Sequence, residues 1–179
     1  MRKQHPVLGV TIALAIATMV FVAAKNPKED EARIAQGLKI APVSLNLDGK
    51  NKDMVGLGSY LVNASGGCAN CHSCPTFAPG QSKGQAKINA QTYLAGGVPF
   101  QGGVTSANLT PNALGLPGGL SLEQFKGILH RASNEGSEGL VVMPWSIYAN
   151  LTPSDIEAMY EYLRAVPRAQ PGECSGPGQ

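Results

Sequence analysis

Apolar positions along the 179-residue chain fall into three regimes. In the first, Pro6 to Ala24 (PVLGVTIALAIATMVFVAA) run without one charged side chain, with Arg2 and Lys3 before them and Lys25 after. A hydrocarbon core needs roughly 20 apolar residues to span it, and Val22, Ala23 and Ala24 supply the small side chains a signal peptidase requires. Residues 1–24 therefore read as a membrane anchor or a signal peptide. In either case the basic residues hold the N-terminus in the cytoplasm, and everything after Lys25 is expected on the periplasmic side of a bacterial inner membrane.

The second regime, Lys25 to Lys52, mixes charges of both signs with scattered apolar residues. It predicts a polar tether over residues 25–52, with one helical turn at Glu29 to Gln36 at most. From Asp53 helical spacing sets in: Leu57, Tyr60, Leu61 and Ala64 share one face of a short helix that ends at Gly66-Gly67. Ser121 and Gln124 form a capping-box pair ahead of a stripe of Leu122, Phe125, Ile128, Leu129 and Ala132. Thr152-Pro153 opens a last helix along Ile156, Met159, Leu163 and Val166, which Pro167 stops.

Between them, residues 73–120 keep no period and are broken by Gly96-Gly97, Gly102-Gly103 and Pro117-Gly118-Gly119. A structureless stretch of that length inside one domain implies a loop wrapped around something bulky. The pattern predicts an all-α domain of three or more short helices and long loops over residues 53–167, followed by a tail, residues 168–179. Setting Arg2 and Lys3 aside leaves 12 Lys+Arg against 12 Asp+Glu, so the exported part is formally neutral and is no candidate for nucleic acid.

The chemistry is concentrated in CANCHSC, residues 68–74, which holds three of the four cysteines. Zinc would find Cys68, Cys71, His72 and Cys74 there, but without the distant second pair that closes a structural site. A thioredoxin-like dithiol would follow a strand, and no strand pattern precedes Cys68. Cys68-Ala69-Asn70-Cys71-His72 matches the attachment site of c-type haem, in which two thiols add to the vinyl groups and the histidine ligates the iron. Export, a helix leading into the motif and Met143-Pro144 ahead of the final helix all agree with one covalently attached haem c.

For the sixth iron ligand, Met143 in VVMPW is favoured, because Pro144 stiffens its loop. Met54 lies before the motif, Met159 sits on an apolar stripe and reads as core, and His130 beside Arg131 reads as solvated. With haem taking two thiols, Cys74 and Cys174 remain in an oxidising compartment and are expected to form a disulfide.

With these residues in place, the chain resembles the class I c-type cytochromes, in particular the haem domains of cytochrome subunits of bacterial membrane dehydrogenases and related electron-transfer complexes. The resemblance rests on Gly58-x-Tyr60-Leu61 before CANCH, Ala95-Gly96-Gly97, Ser106 to Pro111 (SANLTP), Leu122 to Phe125, Met143-Pro144-Trp145 and Asp155 to Arg164. It implies thioethers at Cys68 and Cys71, axial ligation by His72 and Met143, and packing of Gly58 and Tyr60 against Met159, Tyr162 and Leu163. It further implies that the turn from Asn108 to Pro111 lies near the haem propionates. Relatives of that kind often carry three haem domains, whereas this chain has one CxxCH.

The expected function is a membrane-tethered monohaem carrier of single electrons, itself no enzyme. Its partner would be a membrane redox complex: a quinol-oxidising complex, a terminal oxidase, a dehydrogenase or a photosynthetic reaction centre. The alternative is a haem-based sensor or catalyst in which Met143 leaves the iron.

Overall fold

A computed structural model describes residues 27–80, 87–130 and 142–177 of the chain. Helix α2 (Lys52–Tyr60) begins at Asn51, whose side-chain oxygen accepts from the backbone N–H groups of Asp53 and Met54. It widens into a π-helical turn, Leu61–Ser65, closed where the Gly66 N–H donates to the Leu61 carbonyl at 2.7 Å. The expected face of Leu57, Tyr60, Leu61 and Ala64 is incomplete. Of these only Leu61 is buried, Leu57 and Tyr60 are half-buried and Ala64 is exposed, whereas Val55, Gly56, Gly58, Ser59 and Val62 are all buried. Small residues admit neighbouring backbones on more than one side, so burial here does not follow side-chain size.

One neighbour is helix α6 (Pro153–Ala165), which opens with a capping box between Thr152 and Asp155. It buries Ile156, Met159 and Leu163 on the expected stripe, together with Ala158 and Tyr162. The two helices meet at Gly58, where a Cβ would lie 1.9 Å from the Ala158 carbonyl oxygen and 2.8 Å from Tyr162 Cβ.

The other neighbour corrects the expectation for residues 25–52. Pro27–Ile40 form a 14-residue helix, α1, with Glu29 and Asp30 in its first turn and Lys39 in its last. It packs on α2 where a Cβ on Gly37 would stand 1.9 Å from the Gly56 carbonyl oxygen, and the Ser59 hydroxyl donates to the Gly37 carbonyl at 2.7 Å. The segment that follows is also held: Val43, Leu45 and Leu47 lie against the core, and the Asn46 N–H donates to the Ala165 carbonyl at 2.8 Å. A tether was expected because α1 is mostly polar; the close approach of Gly37 and Gly56 lets just two apolar side chains, Ile34 and Leu38, dock it, both standing over Gly56.

A single turn, α3 (Ala69–His72), carries the cysteine motif. Helix α4 (Leu122–His130) has the expected cap, with Ser121 and Gln124 each accepting from the other's backbone N–H, and it buries Phe125 and Leu129. Phe125 meets Tyr160 of α6 with ring centroids 5.6 Å apart. A short α5 (Trp145–Tyr148) precedes α6.

Between α3 and α4 the described chain has one 3-10 turn, Gln101–Gly103, and three isolated bridges: Phe77 with Ile88, Pro99 with Thr105, and Pro111 with Pro117. The described residues are thus helical without a strand. None of their helices is long and apolar enough to cross a membrane. The membrane anchor or signal peptide expected at residues 1–24 lies outside the described residues.

Candidate haem-binding site

Gly67, at φ +57°, turns the chain out of α2 and into α3. The Cys71 and His72 N–H groups then both donate to the Cys68 carbonyl, at 3.2 and 2.9 Å. Cys68 is half-buried, Cys71 is exposed and neither is in a disulfide, while His72 is 7% exposed. Burial pushes the Cys68 thiol up to about 11.

The His72 Nδ1 lies 2.8 Å from the Ala107 carbonyl oxygen, so the ring proton sits on Nδ1 and Nε2 keeps a free lone pair. Burial holds the imidazole below its ordinary pKa, against the opposing pull of the Ala107 bond. A neutral imidazole with its other nitrogen fixed is the form that ligates a metal.

Cys68, Cys71, His72 and Met143 line one cavity of about 540 Å³. Most of its remaining wall is apolar, with Val62, Leu109, Phe125, Leu129 and Leu163 among its residues. A flat apolar macrocycle with two thiol-reactive edges and an iron fits this donor set: two thiols, one imidazole nitrogen and one thioether around a greasy slot. Zinc does not, because Cys74 is bonded to Cys174 (Cα–Cα 5.5 Å).

The other candidates fall elsewhere. His130 is exposed, and Met54 is half-buried against the core without reaching the cavity. Met159 belongs to the core, as its stripe implies, and also lines the cavity. Of the implied SANLTP contacts, Leu109 lines the cavity but Asn108 does not. Its amide donates to the Ala169 carbonyl at 2.9 Å and its oxygen accepts from Thr110 N–H and Oγ1 at 2.8 and 2.7 Å. Gly58 meets Tyr162 as implied, and Tyr60 is half-buried.

Sequence reasoning missed two tyrosines. Tyr148 lines the cavity and donates to the Gly66 carbonyl at 3.3 Å. Tyr93, 1% exposed, bonds Asn63 and Tyr162 behind the cysteine motif. Neither stands out in the sequence: Tyr93 is one of three aromatic residues in residues 73–120, with Phe77 and Phe100, and Tyr148 follows Trp145 by three residues.

Comparison with known proteins yields two relatives. The chain is 28% identical over 155 residues to the fructose dehydrogenase cytochrome subunit of Gluconobacter japonicus, a match covering 84% of this chain and 27% of that protein. It is 30% identical over 120 residues to the gluconate 2-dehydrogenase cytochrome c subunit of Pantoea cypripedii, covering 65% of this chain and 24% of that one. The matches thus span about a quarter of each relative's length. No family model matches the chain, and no solved structure does. The chain's relatives are accordingly cytochrome c subunits of bacterial dehydrogenases.

Proposed function

We propose that this chain is a monohaem c-type electron carrier held at the periplasmic face of the inner membrane by residues 1–24, and that its donor is a dehydrogenase acting on a sugar or sugar acid. The observation that carries the haem reading is the meeting of Cys68, Cys71, His72 and Met143 in one apolar cavity. The relatives' names support the dehydrogenase partner. The acceptor is a further membrane redox complex.

The haem would supply a one-electron couple. The residues do the rest. Cys68 and Cys71 would hold the group by thioethers, His72 Nε2 and the Met143 thioether would ligate its iron, and the apolar walls would keep water from it. With both residues as ligands the iron would offer substrate no place to bind, and that favours electron transfer over a sensor or catalyst.

The test is the absorption spectrum of purified full-length protein, oxidised and reduced, with haem bound through acid-acetone extraction. A weak red band from an iron–methionine bond, lost in Met143→Ala, is expected. Carbon monoxide binding by the reduced wild type at neutral pH would overturn the carrier in favour of the sensor or catalyst. Membrane fractions retaining the protein after a salt wash would support the anchor, and co-purification of a sugar-oxidising activity the partner.

A further inference from the structure

The bond from His72 Nδ1 to the Ala107 carbonyl joins two loops, and the C-terminal tail grips both of them. On the His72 side, Cys74 follows the ligand by two residues; it is bonded to Cys174, and its carbonyl accepts from the Gly172 N–H at 2.6 Å. On the Ala107 side, Asn108 is the next residue, and its amide donates to the Ala169 carbonyl at 2.9 Å while the Ala169 N–H donates to Thr110 Oγ1 at 3.2 Å. Gly96 and Gly97 fill the space between these parts, and the Gly96 N–H donates to the His72 carbonyl at 2.8 Å. A Cβ on Gly96 would lie 2.5 Å from the Ala107 carbonyl carbon, and one on Gly97 would lie 2.5 Å from Pro171 Cβ. Residues 169–174 thereby close a ring of contacts that runs through the His72–Ala107 bond.

We propose that the tail is a clamp on the proximal ligand, in which Asn108 and the Cys74–Cys174 disulfide act as positioning groups that hold the Ala107 carbonyl against His72 and so set the haem's reduction potential. The inference rests on the haem reading above. An imidazole that donates Nδ1–H to a firm acceptor is the stronger base at Nε2. A more basic ligand favours the oxidised iron, which carries the greater charge, so a firm clamp lowers the potential and a loosened one raises it. Cys174 and Asn108 both lie off the cavity wall, so neither acts on the haem by contact.

The experiment is a spectroelectrochemical titration of the full-length holoprotein, with the exchange rate of the His72 Nδ1 proton followed by NMR. Cys174→Ser and Asn108→Ala are compared with wild type. Cys174→Ser leaves Cys74, which lies 1% exposed beneath the tail in the wild type, as a free thiol. Both variants are expected to raise the potential by about 59 mV, which is tenfold in a one-electron equilibrium, and to speed exchange of the Nδ1 proton. Unchanged potential and exchange in a folded variant of lower stability would reduce the tail to a structural staple and overturn the clamp. Should one variant fail to fold, the other carries the same comparison. Reduced and oxidised spectra that show no haem in the wild type would overturn the site itself, an outcome distinct from a haem whose potential does not move.

Discussion

The hydroxyls of Tyr93 and Tyr162 lie 2.8 Å apart although 69 residues separate them. Asn63 completes the triangle: its side-chain oxygen accepts from Tyr93 at 2.5 Å, and its amide donates to Tyr162 at 3.1 Å. Because the Tyr93 proton is committed to Asn63, the Tyr162 hydroxyl must donate to Tyr93. One arrangement of protons satisfies all three groups, and it ties α2, the long loop and α6 together. Replacing Asn63 by Leu leaves the buried Tyr93 proton without its acceptor and is expected to cost about 1–3 kcal/mol. Urea denaturation of the holoprotein measures this, and a loss below 0.5 kcal/mol on that roughly 1–3 scale would show that water replaces the amide.

The same tyrosines predict the alkaline limit of stability. Burial raises the pKa of Tyr93 and Tyr162 above the usual value of 10.0, and burial likewise pushes Tyr148 up to about 12. The folded state keeps these protons while the unfolded chain sheds them from its ordinary pKa upward. Their contribution is therefore complete below pH 10 and is lost as pH rises toward 12. Melting temperature should fall steeply across that window, and less steeply in Tyr148→Phe. A melting temperature indifferent to alkali would contradict the burial of these hydroxyls.

At Gly58 the α2–α6 crossing leaves no room for a methyl group. Gly58→Ala must push the helices apart and is expected to destabilise by about 1–3 kcal/mol or more. Gly49 makes the control: it is at φ +64° with nothing near its missing Cβ, so Gly49→Ala adds only the strain of a left-handed conformation, about 1–2 kcal/mol. The Gly58 variant should also bind haem less completely, since α6 places Met159 and Leu163 on the cavity wall.

Gly37→Ala tests whether α1 is docked in solution. The added methyl would strike the Gly56 carbonyl, releasing α1 without touching the haem cavity. Trypsin should then cut at Arg33 or Lys39 many times faster than in wild type, with the visible spectrum unchanged. Equal cleavage rates would mean that α1 is free in the wild type too.

What could be read in advance was whatever declares itself by residue type. CANCH and Met143 lie on one cavity, the two leftover cysteines pair, and the Ser121 and Thr152 caps stand where helices begin. The rest is carried by backbone atoms or by small residues. The His72 acceptor is the carbonyl of Ala107, and any residue supplies a carbonyl. The docking of α1 rests on Gly37 and Gly56, which score as breakers in a helix until a partner helix is known. Asn108 belonged to a motif that pointed toward the haem, yet its amide donates to the tail and its oxygen accepts from Thr110. Such choices among partners are made by three-dimensional proximity, on which local spacing is silent.

The seating of α1 on α2 also bears on geometry at the bilayer. In the sequence only Lys25 and Asn26 stand between the apolar run and α1, and two residues reach at most about 7 Å. Were that run in the bilayer, as proposed, the haem domain would stand on a mast rather than on a leash. It would then meet partners by drifting in two dimensions, and those that present their own redox centre close to the lipid surface would be favoured.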